Sequence, residues 1–272
     1  MTAPRSRSVA RYGWVRDLPD ARDHVFTVPA HVKAALPAAV DLRSGQPGLP
    51  PCYDQGQIGS CTANAIAGAV EFALRKEKLT DFLPSRLFVY YNERAMEGHV
   101  GSDSGAQIRD GVKSVSVQGV PPETEWPYEP VPADSDGKFP VGSREATKPS
   151  ESVYEDALKN KVTSYQRVVQ SLDQLRGGLA AGYPVLFGFT VYQSFESETV
   201  ATTGVAQLPT AGEQVIGGHA VLAVGYDDAQ QRFIVRNSWG TDWGMGGYFT
   251  LPYAYLTDSG LASDFWTVRV VA

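Results

Sequence analysis

The sequence predicts an α+β protein built from two unlike halves, a helical one followed by a β-rich one. Two observations carry this. Between Cys61 and Gly119 apolar residues recur at helical spacing in three successive segments separated by Gly and Pro, and from Tyr183 onward short apolar or alternating runs are separated by Gly, Asp and Asn. Helices first and strands later imply two subdomains with different architectures rather than repeating βαβ units.

The first forty or so residues are rich in Arg, Asp and Pro and show no sustained periodicity. Residues 1–38 therefore read as an N-terminal extension and 39–272 as the domain, with a helical lobe over about 39–150, a β-rich lobe over about 151–255 and a C-terminal segment expected to return to the cleft between them. The segment CTANAIAGAVEFALRK places Ile66, Val70, Ala73 and Leu74 on one helical stripe. SRLFVYYNERAMEG predicts a second helix closed by Gly98, and a third begins near Ala106, carries Ile108, Val112 and Val115, and stops before Gly119. Ser171 and Gln174 form a capping-box pattern ahead of Leu172, Leu175 and Leu179, with Gly182 as the stop. YPVLFGFTV, HAVLAVGY, RFIVRNSW and GYFTLPY then read as strands of a sheet or barrel.

A chain of 272 residues with net charge −6 and a pI near 5.3 lacks the clustered Lys and Arg that neutralise phosphates. Neither nucleic acid nor an anionic membrane is expected as a partner, and no cofactor or metal is called for. No apolar run long enough for a signal-peptide core or a membrane span occurs, so the expected compartment is the cytoplasm or the outside by a leaderless route. Two cysteines, Cys52 and Cys61, do not make a disulfide framework.

The chemistry concentrates in three blocks. In DQGQIGSCTANA a cysteine, Cys61, stands at the start of the strongest predicted helix after a Gly-rich loop, where the partial positive charge of a helix N-terminus favours thiolate over thiol. Of the four histidines, His24, His31 and His99 lie in extension or loop and read as solvated, whereas His219 opens the apolar strand of GGHAVLAVGY. An imidazole needs a partner on its second nitrogen, which Asn237 in RNSWGTDWGMGGYF can supply, with Trp239 as a shield. Gln55 can add its side-chain amide to the backbone N–H of Cys61 as donors for an oxyanion.

These residues, in the order Gln, Cys, His, Asn, resemble the papain-like cysteine peptidases, from about Val40 to the C-terminus. The resemblance implies a two-lobed fold with the active site in the cleft between a helical and a barrel-like lobe. It also implies a cysteine-type endopeptidase acting on peptides or proteins through a thiolate–imidazolium pair and a thioester intermediate: Cys61 as nucleophile, His219 as acid–base, Asn237 as its orienter, Gln55 in the oxyanion hole and Trp239 in support. Many members carry a disulfide-forming Cys and a Trp where this chain has Ile58 and Thr62, which leaves the reacting residues intact. By the same resemblance Gly105 and Ala106 pair with substrate backbone. Gln107 or Ile108, Val185, Gly218 and Ala220 would line the pocket for the residue two before the scissile carbonyl, with Ser263 or Asp264 at its base. An inward-pointing acid there would admit Lys or Arg. Two other readings share the blocks: a non-catalytic binding module, and a transpeptidase or amidase using the same Cys, His and Asn. Within the extension, residues 11–26 contain Tyr12, Trp14, Val15, Leu18, Val25 and Phe26, which an acidic soluble protein is expected to cover, so this stretch is expected to lie across the domain and contact the cleft.

Overall fold

The computed structural model describes residues 10–270, so the first nine residues of the expected extension lie outside the described part. In chain order the N-terminal segment contributes β1 (Trp14–Val15) and α1 (Ala30–Ala34), and β2 (Ala39–Asp41) opens the domain. The helical lobe is α2 (Cys61–Lys76), α3 (Arg86–Glu97), β3 (Ala106–Gln107) and α4 (Ile108–Val117). After α5 (Glu151–Ala157) come β4 (Ser164–Arg167), α6 (Leu172–Ala180) and β5 (Val185–Tyr192). A 3-10 turn (Gln193–Glu196), α7 (Glu198–Thr203), β6 (Val215–Asp227), β7 (Arg232–Arg236), β8 (Tyr248–Pro252), α8 (Tyr253–Thr257) and β9 (Ala262–Arg269) complete it.

The helix boundaries follow local signals. Ser85 caps α3 by accepting the Phe88 N–H, and Gly98 ends it at φ 79°, a left-handed conformation that glycine adopts without strain. Ser171 caps α6 through the Gln174 N–H. In α2 the expected single stripe is too narrow: Cys61 through Leu74 are all buried. The helix lies between the two lobes, touching α3 and α4 on one side and β6 and β9 on the other. Alanines and Gly68, silent in a periodicity count, are what let the sheet approach, with Arg236 Nε 3.2 Å from where a Gly68 Cβ would stand.

The sheet runs β4-β9-β5-β6-β7-β8 with antiparallel neighbours, and β2 adds to β6. Both faces of β5 are buried, which is why its sequence reads as a continuous apolar run. Val185, Phe187, Phe189 and Val191 enter the core of the β lobe, while Leu186 packs with the core shared with α2. The sequence pattern does not mark β9 as a strand. Its Ser263 and Asp264 dilute the apolar pattern, yet it is an interior strand, between β4 and β5, and carries the C-terminal segment back against α2.

The N-terminal segment is part of this packing. β1 pairs in parallel with β3, Trp14 opposite Ala106. Further on, the Phe26 N–H donates to Arg167 O (2.8 Å) and the Arg167 N–H to His24 O (2.7 Å). Phe26 is 1% exposed and joins the β-lobe core with Val28. Only part of the segment's apolar surface is covered, however: Val15, Leu18 and Val25 remain 40%, 70% and 53% exposed, because an extended chain lying on a surface turns alternate side chains outward.

Candidate active site

Cys61 is the first residue of α2 and is fully buried, as are Gln55, His219 and Asn237. The loop before it is held by hydrogen bonds instead of a disulfide. The Gly59 N–H donates to Asp103 Oδ1 (2.9 Å), Ser60 Oγ and Tyr128 Oη lie 2.6 Å apart, and Asn64 Nδ2 donates to Ser60 O (2.9 Å). Thr62, next to the cysteine, donates to the buried carboxyl of Glu93.

His219 belongs to β6 and Asn237 follows β7, two antiparallel neighbours, so the sheet itself sets their separation. His219 Nε2 and Asn237 Oδ1 are 2.8 Å apart. The Trp239 indole stacks on the imidazole, with ring centroids 5.3 Å apart and planes at 27°, covering that bond from one side. The Ala220 N–H, next along β6, donates to Cys61 Sγ (3.4 Å), which places the sulfur beside the histidine. Gln55 is clamped: Ser238 Oγ donates to its Oε1 (2.6 Å) and its Nε2 donates to Ile58 O (3.0 Å). Residues from distant parts of the chain thus lie together: a thiol at a helix start, an imidazole hydrogen-bonded to a carboxamide on the neighbouring strand, and an amide held against the loop that precedes the thiol. This set can perform acyl transfer through a thioester.

The N-terminal segment crosses this site. The Ala106 N–H donates to Gly13 O (2.8 Å), and a Cβ on Gly13 would lie 1.6 Å from Gly59 O, so only glycine passes there. Burial, opposed by hydrogen bonds from the Ala220 and Gly13 amides, pushes the Cys61 thiol up to about 12. With the segment in place the neutral thiol is favoured.

Trp14 fills the pocket expected for the residue two before the scissile carbonyl. Its ring lies where Cβ atoms on Gly188 and Gly218 would be, 1.9 and 2.7 Å away, and its Nε1 donates to Asp264 Oδ2 (3.1 Å). Of the two candidates for the pocket base, Asp264 is the one that points in, from a left-handed backbone (φ 60°), and Ser263 pairs with Gly188 on the neighbouring strand. Gly105 lies against Gly13, and Ala106, Ile108 and Ala220 are buried nearby in the helical lobe and β6. Val185 is not at the pocket. It sits on the opposite face of β5, packed against Gly178 of α6, while Gly188 takes the place against Trp14. Strand parity decides this, and a run apolar on both faces does not reveal it. Sequence reasoning also missed Asp17. Its carboxylate accepts from Trp266 Nε1 (2.8 Å) and the Arg109 N–H (3.1 Å) while its own N–H donates to Asp264 Oδ2 (2.8 Å). Burial and the neighbouring Asp264 carboxylate raise Asp17 to about 7.

The papain family cysteine protease model matches residues 36–267. The crystal structure of xylellain, a cysteine protease from Xylella fastidiosa, superposes with a TM-score of 0.90 at 48% identity, covering 96% of each chain. A peptidase C1-like protein of Acanthamoeba polyphaga mimivirus is 40% identical over 96% of this chain and 87% of its own. Chicken cathepsin K is 28% identical over 84% of this chain, which spans 62% of that protein. The chain belongs to the papain family of cysteine proteases and is a cysteine-type endopeptidase.

Proposed function

We propose that Cys61 is the nucleophile and His219 its acid–base, oriented by Asn237 and screened by Trp239, with Gln55 and the Cys61 N–H as oxyanion donors. The observation that carries this is the 2.8 Å contact between His219 Nε2 and Asn237 Oδ1 beneath Trp239, next to a sulfur at the start of α2. The thiolate attacks the scissile carbonyl carbon. The C–N bond then breaks as the imidazolium passes its proton to the leaving amine, and water, deprotonated by His219, cleaves the thioester. The ion pair belongs to the open cleft, where solvent relieves the burial that now favours the thiol.

Gly105 and Ala106 would then hold the substrate backbone. Ile108, Gly188, Gly218 and Ala220 would surround the side chain two before the scissile carbonyl, with Asp264 at the pocket base favouring Lys or Arg over Glu. Residues 11–26 act as an intramolecular plug. At the sulfur the plug is held by the Gly13 N–H, which donates to Cys61. Two measurements test the reading: stoichiometric labelling of Cys61 by an epoxide probe, and cleavage of internally quenched peptides blocked at both ends. Cutting only of peptides with a free terminus would exclude an endopeptidase, and products formed only with an added amine would point to transpeptidation.

A further inference from the structure

The plug fills two pockets, one on each side of Cys61, and the second is occupied by Tyr12. Its ring lies 5.8 Å from His219 and 6.5 Å from Trp239, centroid to centroid, and runs over Gly217, where a Cβ would stand 2.6 Å from the ring. At the end of this slot the Tyr12 hydroxyl donates to Glu196 Oε1 (2.7 Å). Glu196 is held in place by its turn. The preceding Phe195 is 4% exposed and packs on Trp239 and Phe249 with centroids 5.5 and 5.1 Å away, and the Ser194 N–H donates to Glu213 Oε1 (2.7 Å). The carboxylate therefore sits at a fixed distance from the imidazole, about one aromatic side chain away.

Chemistry says which side of the scissile bond this slot serves. The leaving amine must take its proton from His219, so the residue that carries that amine lies on the histidine side of Cys61, where Tyr12 now packs. We infer that Glu196 is a specificity residue for the position immediately after the scissile bond. There it selects side chains that carry a hydrogen-bond donor at the end of a long or aromatic stem, namely Lys, Arg and Tyr, and rejects Asp and Glu. The inference rests on the reading of Cys61 and His219 as the reacting pair. An apolar stem fits between Trp239 and the open backbone of Gly217, and the tip reaches the carboxylate, as the Tyr12 hydroxyl does.

The test uses the full chain with Tyr12→Ala and Trp14→Ala, which empties both pockets, and the same chain carrying Glu196→Lys. Substrates are doubly blocked, internally quenched peptides that differ only after the scissile bond (Lys, Arg, Tyr, Leu or Glu), with the cut bond mapped by mass spectrometry. The parent should cleave the Lys and Arg peptides with kcat/KM about tenfold above the Glu peptide, the size of one charge-assisted hydrogen bond. Glu196→Lys should reverse that order and leave the preference two residues before the scissile bond unchanged. A flat profile, or one that Glu196→Lys does not move, overturns the role of Glu196 while leaving the endopeptidase reading intact. A parent that cuts no peptide, although Cys61 still labels, overturns both.

Discussion

The indole N–H of Trp14 donates to Asp264 Oδ2 across 3.1 Å, joining a side chain of the N-terminal segment to the base of the cleft. Trp14→Ala removes this bond and empties the pocket between Gly188 and Gly218. A hydrogen bond to a charged group contributes about 1.5–3 kcal/mol, so the open-to-closed ratio should rise by at least about tenfold. The full-length variant should show higher kcat/KM on small peptides and faster alkylation of Cys61. Gly13→Ala, whose Cβ would meet Gly59 O, should do the same by a steric route. Unchanged kinetics with a lowered Tm would make the segment a stabilising belt and not a plug.

Asp17 predicts how the plug responds to pH. Docking raises its pKa from the ordinary carboxylate range to about 7, because the carboxyl is buried beside Asp264. Trp266 Nε1, the Arg109 N–H and guanidinium, and Arg167, 3.5 Å from its Oδ2, oppose that rise. A group whose pKa rises on docking takes up a proton, so docking is strongest at acid pH and weakens as pH climbs to about 7. Asp17→Asn fixes the neutral form. It should keep the plug docked at neutral pH, slowing Cys61 alkylation relative to the unmodified chain near pH 7, with the gap narrowing as pH falls and closing only below the undocked carboxyl value of 3.8. Convergence at high pH instead would reverse the sign and reject the mechanism.

Cys61→Ala and His219→Ala should each abolish turnover, since nucleophile and base act as a unit. Cys52→Ser should retain most of it: Cys52 is a free, buried thiol whose neighbours are Gly247, Arg236 and Tyr248. Equal losses at both cysteines, with Tm unchanged, would mean that the wrong thiol has been assigned.

Gln55→Ala should lower kcat by about 10²–10³ with little change in KM, because an oxyanion donor bonds the transition state more strongly than the substrate. The side chain also ties Ser238 to Ile58, so Tm must be followed in parallel. A loss confined to KM would remove Gln55 from the oxyanion hole.

Much of the site was legible because its residues carry their chemistry in short blocks. Cys61 stands at a helix start, His219 on an apolar strand and Asn237 after the next strand, although β6 begins at Val215 and so carries His219 inside the strand and not at its mouth. Asp17 and Glu196 were illegible for the opposite reason. One lies in an aperiodic segment and the other in a short turn, and each acquires meaning only from a residue far along the chain: Trp266 for Asp17 and Tyr12 for Glu196.

By itself the sequence determined the helices α2, α3, α4 and α6, the strand character of β5 to β8, and the candidate reacting residues, because periodicity, caps and local chemistry are written within a few residues of one another. Tertiary structure alone decided three things. It placed β9 between β4 and β5 although its polar residues hide the strand, and it set which face of β5 meets the cleft, so that Gly188 and not Val185 lies against Trp14. It also set where each residue of the N-terminal segment packs: Tyr12 on Gly217, Gly13 on Gly59 and Trp14 on Gly188 and Gly218. Strand parity and long-range docking depend on what packs on each face, and that is a property of the assembled lobes, not of any local stretch of chain.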